Sequence, residues 1–170
     1  MDTQYSVLLS LYYKEKPEHL RVSLDSIFNQ TLVSDDVVLV EDGSLGDALE
    51  SVVKEYEERY PQLHVVRFEK NRGLGFALND GLTYCKHELV ARMDTDDIAK
   101  PHRMEKQVVF MKTHPEIGMV GSWIDEFITD IYHVESVRKV PEHPREVMEY
   151  AKKRCPVNHP TVMYRKSEVL

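Results

Sequence analysis

Short apolar runs alternate with amphipathic helical patterns through most of this chain, and this alternation limits its fold more than any other feature. The apolar runs have the length of strands and occupy residues 5–11, 37–40, 63–68, 89–93 and 117–124. Helical spacing separates them: after Pro17, for example, Leu20, Leu24 and Ile27 share one face. Nearly continuous apolar strands alternating with helices predict an α/β fold, a mostly parallel sheet with helices on both faces.

The rhythm changes after residue 124. Residues 125–145 mix polar and apolar side chains and are interrupted by prolines, and we expect a short helix over 145–153 and a strand over 161–164. The chain has 170 residues, no internal repeat and no low-complexity segment. This length suffices for one domain with its own core.

Composition excludes some classes of partner. The formal net charge of −7 disfavours nucleic acid and non-specific attraction to an anionic membrane surface. Cys85 and Cys155 are far apart and form no C-x-x-C pair, which predicts reduced thiols. The apolar run near the start follows Asp2 rather than a basic segment, so it resembles neither a signal peptide nor a membrane span. We expect a cytoplasmic protein.

Polar residues collect where the predicted strands end. Ser10 and Tyr12 lie at the end of the first strand, Asp42 follows the second, Arg72 follows the third, and an acidic cluster follows the fourth. In an open parallel sheet, ligands bind beyond the carboxyl ends of the strands. The sequence therefore predicts a binding site at this edge.

The acidic cluster consists of Asp94, Asp96 and Asp97. Asp94 and Asp96 alternate along an expected extended segment, which would place them on the same side. Carboxylate oxygens suit Mn²⁺ or Mg²⁺ better than zinc, and such sites leave room for substrate phosphates. One hypothesis is a divalent cation that holds a diphosphate.

Two structural alternatives remain for these aspartates. Asp96 or Asp97 could cap the helix predicted after Pro101, and another could pair with Arg92 or Arg103. A calcium-binding EF-hand loop is rejected, because Ala99 occupies the position that requires glycine and Pro101 interrupts the loop.

The glycine-rich stretch G-L-G-F-A-L at residues 73–78 does not predict a dinucleotide site. Its third fingerprint position is Leu78, and the stretch does not follow the first strand. The sequence also lacks a phosphate-binding P-loop motif. The stretch reads as a tight turn before a helix, with Arg72 beside a place where an anion could approach.

Several motifs occur in the order found in one known family. They are S-V-L-L-S-L-Y-Y, S-I-F-N-Q-T, V-V-L-V-E-D-G-S, N-R-G-L-G-F-A-L-N-D-G-L, R-M-D-T-D-D-I-A-K-P-H-R-M and the later H-P-T-V-M-Y-R-K-S. In these motifs the chain resembles family 2 glycosyltransferases, over residues 6–103 and again near residue 160. The resemblance implies a GT-A fold and transfer of a sugar, with inversion, from a nucleotide-diphospho-sugar to an acceptor hydroxyl.

The resemblance also implies roles for the strand-end residues. Ser10 and Tyr12 would line the nucleotide pocket, Asp42 would accept a hydrogen bond from the base, and Arg72 would lie near the base or the phosphates. UDP is the nucleotide that the family most often uses. The acceptor would be a saccharide or a lipid-linked saccharide in surface polysaccharide or glycoconjugate synthesis, with peripheral membrane association through that acceptor.

For the acidic D-x-D segment, the resemblance implies that Asp96 is the principal ligand of Mn²⁺ or Mg²⁺. Asp94 would face the ribose or the metal, Asp97 would support the site, and Arg103 would brace the loop.

The catalytic base has no clear counterpart. Inverting members of the family often take it from an E-D pair beyond the H-P-T-V strand, and no such pair follows here. Asp125, Glu126 and Asp130 are the acids near the right part of the fold. We expect a single domain truncated at its C-terminus, in which residues 1–103 form the nucleotide-binding half and 104–170 begin the acceptor half.

Two rival functions stay open. A nucleotidyltransferase would also combine this kind of sheet with acidic metal ligands, but its phosphate loop after the first strand is rich in glycine, and here that loop reads Y-Y-K-E-K-P. A non-catalytic nucleotide-sugar-binding module would keep the pocket and lack the base.

Overall fold

A computed structural model describes residues 4–129 and 131–169. The strands are β1 (Ser6–Leu11), β2 (Asp36–Glu41), β3 (Leu63–Arg67), β4 (Leu89–Asp94), β5 (Met119–Val120), β6 (Ile124–Glu126), β7 (Ser136–Arg138) and β8 (Met163–Arg165). The α-helices are α1 (Pro17–Phe28), α2 (Asp47–Arg59), α3 (Leu74–Leu82), α4 (Arg103–Thr113) and α5 (Pro144–Ala151). Short 3₁₀ turns cover His159–Thr161 and Lys166–Glu168.

The main sheet has the strand order β3-β2-β1-β4-β8-β5. The first four strands in this order run parallel, and β8 runs antiparallel to both of its neighbours. The predicted mostly parallel α/β sheet is confirmed.

Side chains from alternating strand positions form two cores on opposite faces of the sheet. Val7, Leu9 and Leu39 belong to the larger core, which also contains the buried residues of α1, α2 and α4. Leu8 and Val38 belong to the smaller core, which contains those of α3. Because side chains alternate along a strand, these continuously apolar strands need helices on both faces.

One predicted strand is wrong. Residues 117–124 were expected to form one strand, but β5 ends at Val120 and β6 begins at Ile124. The break falls at Gly121, after which the Ser122 N–H donates to the Thr161 hydroxyl (2.9 Å). At this contact the chain leaves the main sheet, and β6 pairs with β7 in a separate two-stranded sheet.

Other element boundaries shift slightly. The helix expected over 145–153 spans Pro144–Ala151, and the strand expected over 161–164 begins at Met163, after a 3₁₀ turn. Within the described residues, no helix combines the length and the apolar character needed to cross a membrane.

Candidate functional site

The carboxyl ends of β1, β2 and β4 lie side by side. Strand register places Ser10 directly beside Asp94 on one side and Val40 on the other. Ser10 is half-buried, and Asp42 continues directly from β2. The structure therefore has the strand-end edge predicted from the sequence, and Ser10, Asp42 and Asp94 all lie along this carboxyl edge of the sheet.

The three aspartates converge in the acidic loop, which we define as residues 94–102, between β4 and α4. Oxygen atoms of Asp94, Asp96 and Asp97 all lie within 4.8 Å of one another. The sequence predicted that Asp94 and Asp96 meet because they alternate along an extended segment. That reason is wrong, because residues 95–96 form a turn instead of continuing the strand. The Asp97 N–H approaches the Asp94 carbonyl oxygen (3.5 Å), and this turn makes the carboxylates meet.

Asp94 is held by an arginine two residues earlier on its own strand. The Arg92 Nη2 atom lies 2.5 Å from Asp94 Oδ1, and Arg92 Nη1 donates to Oδ2 at 2.9 Å. Burial raises the pKa of Asp94 above its ordinary value, and the Arg92 charge opposes that rise. The alternative that one aspartate pairs with Arg92 is thus correct for Asp94.

The remaining carboxylates are less compensated. The pKa of Asp97 is raised to about 6, first by burial and then by the negative charges of Asp96 and Asp94, against the opposing charges of Arg92 and Arg103. Asp96 is exposed. A bound divalent cation would relieve this repulsion, and a set of hard oxygen donors fits Mn²⁺ or Mg²⁺.

The capping alternative is wrong for this helix. Helix α4 begins at Arg103 after His102, which makes no side-chain cap hydrogen bond. The Arg103 guanidinium donates to the Arg92 carbonyl oxygen (2.8 Å) and to Gln107 (3.1 Å). Through these contacts Arg103 braces the end of β4, just before the acidic loop.

Asp42 organises the loop that follows β3. Its carboxylate accepts hydrogen bonds from the Arg72 N–H (2.7 Å) and the Gly73 N–H (2.8 Å), and its side chain is buried. Gly43 makes the approach possible: its φ is +87°, and a Cβ there would lie 2.6 Å from the Asn71 nitrogen. Each Asp42 oxygen thus already has one backbone donor, and a contact with the base would use its remaining lone pairs.

Arg72 and Tyr12 flank this edge with exposed surfaces. The Arg72 guanidinium pairs with Asp80 (2.5 Å) and lies over the rings of Phe68 and Phe76, at 5.4 and 5.2 Å from their centroids. Tyr12 is 43% exposed. Both side chains are accessible to a ligand that approaches the strand ends.

Two of the three candidate bases already have charged or hydrogen-bonding partners. Asp125 pairs with Lys100 (2.5 Å). Glu126 contacts Ser136 and Arg138, and these contacts, the Ser136 hydrogen bond foremost, lower the pKa of its carboxyl. A lowered pKa makes a carboxylate a weaker general base. Asp130 lies outside the described residues.

Sequence reasoning missed a set of polar residues at and just after α1. Ser23, Ser26 and Gln30 contact the backbone of the acidic loop or the residues at its ends. A signal existed, because polar residues at positions i, i+3 and i+7 interrupt an otherwise apolar helical face. Only the tertiary structure identifies what they contact.

Comparisons with known proteins agree on one family. The model of the family described as Glycosyl transferase family 2 matches residues 6–168. An uncharacterized glycosyltransferase of Haemophilus influenzae is 47% identical over 98% of this chain and 62% of its own length. The amylovoran biosynthesis glycosyltransferase AmsE of Erwinia amylovora is 44% identical over 98% of this chain and 61% of its own.

The name of a third relative states a sugar donor and an acceptor. The UDP-Gal:alpha-D-GlcNAc-diphosphoundecaprenol beta-1,3-galactosyltransferase of Escherichia coli is 36% identical over 98% of this chain and 60% of its own. The chain thus spans about three fifths of the length of the curated relatives it matches.

Solved structures share the fold at low identity. S. aureus TarS 1-349 in complex with UDP-GlcNAc superposes with a TM-score of 0.65 at 21% identity, over 96% of this chain and 46% of its own. The mannosyltransferase PcManGT of Pyrobaculum calidifontis, in complex with GDP-Man and Mn²⁺, gives 0.67 at 20% identity, over 95% of this chain and 44% of its own. These neighbours confirm the predicted GT-A fold.

Proposed function

Since this chain belongs to glycosyl transferase family 2, we propose that it binds a nucleotide-diphospho-sugar, with UDP as the nucleotide, and transfers the sugar to an acceptor hydroxyl with inversion. The observation that carries the proposal is the convergence of Asp94, Asp96 and Asp97 within 4.8 Å at the carboxyl edge of the sheet. Ligands bind at this edge in open α/β sheets.

Asp96 is proposed as the principal ligand of Mn²⁺ or Mg²⁺, with Asp94 and Asp97 beside it. Asp96 is the exposed member of the cluster, whereas Asp94 already holds Arg92. When bound, such a cation neutralises charge that develops on a departing nucleoside diphosphate. Mn²⁺ is also the ion present in the PcManGT complex.

The nucleotide pocket is proposed to lie along β1, β2 and the loop after β3. Ser10 and Tyr12 would contact the nucleoside, Asp42 the base, and Arg72 the base or the phosphates. The support is position: Ser10 neighbours Asp94 in the sheet, and Asp42 fixes the backbone of Arg72 and Gly73.

The acceptor is proposed to be a saccharide or a lipid-linked saccharide, with peripheral membrane association through it. The names of AmsE and of the E. coli galactosyltransferase support this class. A carboxylate would deprotonate the acceptor hydroxyl. Asp125 already pairs with Lys100 and Glu126 with Arg138, which disfavours both as that base. We propose the cytoplasm as the compartment, because Cys85 and Cys155 are both free thiols.

A thermal-shift screen tests the proposal. UDP, GDP, dTDP and ADP are each added with Mn²⁺, and each is repeated with a chelator in place of the metal. We expect UDP to raise the melting temperature most, and only when Mn²⁺ is present. The effect should be easy to measure, because a ligand at 100 times its Kd stabilises the folded state by about 2.7 kcal/mol. If none of the nucleoside diphosphates stabilises the protein in the presence of Mn²⁺, the proposed function is wrong.

A further inference from the structure

Three polar side chains of the segment that contains α1 reach the acidic loop and the residues that flank it. The Ser23 hydroxyl donates to the Asp94 carbonyl oxygen (2.9 Å), and the Ser26 hydroxyl accepts from the Ala99 N–H (3.0 Å). Ser23 is fully buried beneath the loop.

Gln30, two residues beyond the end of α1, uses both ends of its amide. Its Nε2 donates to the Lys100 carbonyl oxygen (3.0 Å), and its Oε1 accepts from the Met104 N–H (3.1 Å). Nε2 also donates to the Ser26 carbonyl oxygen (2.8 Å), and the side chain is 4% exposed. One buried amide therefore ties the end of the loop, the start of α4 and the end of α1 together.

These contacts restrain a part of the acidic loop that belongs to no helix or strand. Residues 97–100 have no regular secondary structure, and the loop must keep three carboxylates within 4.8 Å of one another. Mutual repulsion favours loop conformations that separate them. The anchors at Asp94, Ala99, Lys100 and Met104 bond to backbone atoms, so they restrain the loop and leave the carboxylates available.

We propose that Gln30, assisted by Ser26 and Ser23, is a positioning residue that holds the acidic loop in its converged shape before the cation and the diphosphate arrive. The inference rests on the proposed nucleotide-sugar function of that loop. A preformed site does not pay the ordering cost at the moment of binding, and the affinity for the metal-bound nucleotide rises accordingly.

The test uses Gln30→Met, which keeps the side-chain length and removes the amide, and the milder Ser26→Ala. The matched control is Ser34→Ala. Ser34 is also buried and its hydroxyl donates to the Tyr5 carbonyl oxygen (2.5 Å), but it lies at the opposite, amino-terminal edge of the sheet.

Two measurements are made on each variant. Hydrogen exchange of peptides covering residues 94–104, without ligand, reports whether the loop is held. Calorimetry with UDP, in Mn²⁺ and in chelator, reports affinity. We expect Gln30→Met to accelerate exchange in this segment and to weaken Mn²⁺-dependent UDP binding roughly five-fold or more, the worth of about one hydrogen bond. Ser26→Ala should move both in the same direction.

The outcomes separate the two ideas. In Ser34→Ala, exchange of residues 94–104 and UDP affinity should match wild type even if the melting temperature falls. Unchanged exchange in Gln30→Met, or faster exchange with unchanged Mn²⁺-dependent affinity, would overturn the positioning role. Absence of UDP binding by the wild type would instead overturn the choice of UDP in the proposed function, while the exchange data would still decide whether Gln30 anchors the loop.

Discussion

The Arg92 guanidinium and the Asp94 carboxylate form a two-point ion pair between residues i and i+2 of the same strand, on the same face of the sheet. The Arg92 side chain is 5% exposed, so the pair is shielded from water on one side. Asp94 therefore enters the acidic cluster with its orientation already fixed.

This pair should be worth more than an exposed one. A double-mutant cycle with Arg92→Met and Asp94→Asn should give a coupling free energy of about 1.5–3 kcal/mol, the range for hydrogen bonds to charged groups. The matched cycle uses Arg21 and Glu55, which pair at 2.6 Å with both side chains more than 40% exposed. It should give roughly 0–1 kcal/mol. Urea denaturation measures both coupling free energies. Equal values for the two pairs would show that the Arg92–Asp94 pair stabilises the protein no more than an exposed pair does.

Gly43 should tolerate no side chain. Gly43→Ala should lower the unfolding free energy by about 1–3 kcal/mol, because its φ is +87° and the new Cβ would collide with the Asn71 nitrogen. Gly75→Ala is the control, since a Cβ there meets nothing within 4 Å inside α3. That variant should be unchanged or more stable by up to about 1 kcal/mol. Chemical denaturation of the two variants decides, and equal stabilities would contradict the account.

Glu41 should make stability depend on pH. The pKa of this carboxyl is raised to about 7, chiefly by burial and also by the charges of Glu50 and Glu57, against the opposing charge of Arg67. The folded state therefore holds the proton more tightly than the unfolded state, whose carboxyl has an ordinary pKa near 4.5. Stability from this group is present at low pH and is lost as pH rises from about 4.5 through 7, by at most about 3.5 kcal/mol at roughly 1.4 kcal/mol per pH unit.

Glu41→Gln removes that titration. The unfolding free energy of the variant minus that of wild type should be larger at pH 8 than at pH 5, as measured by urea denaturation at both pH values. Glu58→Gln, at an exposed site on α2, serves as the control and should show no such difference. A Glu41→Gln effect that is the same at both pH values would show that Glu41 is ionised throughout.

Much of the fold could be predicted because one local pattern determines it. Leu8 and Leu9 are both fully buried on opposite faces, so the sequence shows a continuous apolar run that only a doubly covered strand explains. Asp42 and Asp94 could be placed together because parallel strands share a carboxyl edge.

The rest depends on contacts between distant segments. The break after Val120 depends on Thr161, thirty-nine residues away from Ser122. Likewise, the convergence of the aspartates depends on a turn, and the role of Gln30 appears only when Lys100 and Met104 lie beside it. Local periodicity carries no information about such partners.

The central claim is that the aspartates of the acidic loop bind a nucleoside diphosphate through a divalent cation. The most direct test is calorimetry of UDP binding, in Mn²⁺ and in chelator, to wild type, to Asp96→Asn and to Asp35→Asn, which makes the same change at an exposed site at the opposite edge of the sheet. We predict that Mn²⁺ tightens UDP binding to wild type and to Asp35→Asn, and that Asp96→Asn weakens Mn²⁺-dependent binding about ten-fold or more, equivalent to roughly 1.4 kcal/mol. Wild-type affinity of Asp96→Asn for UDP in Mn²⁺ would contradict the account.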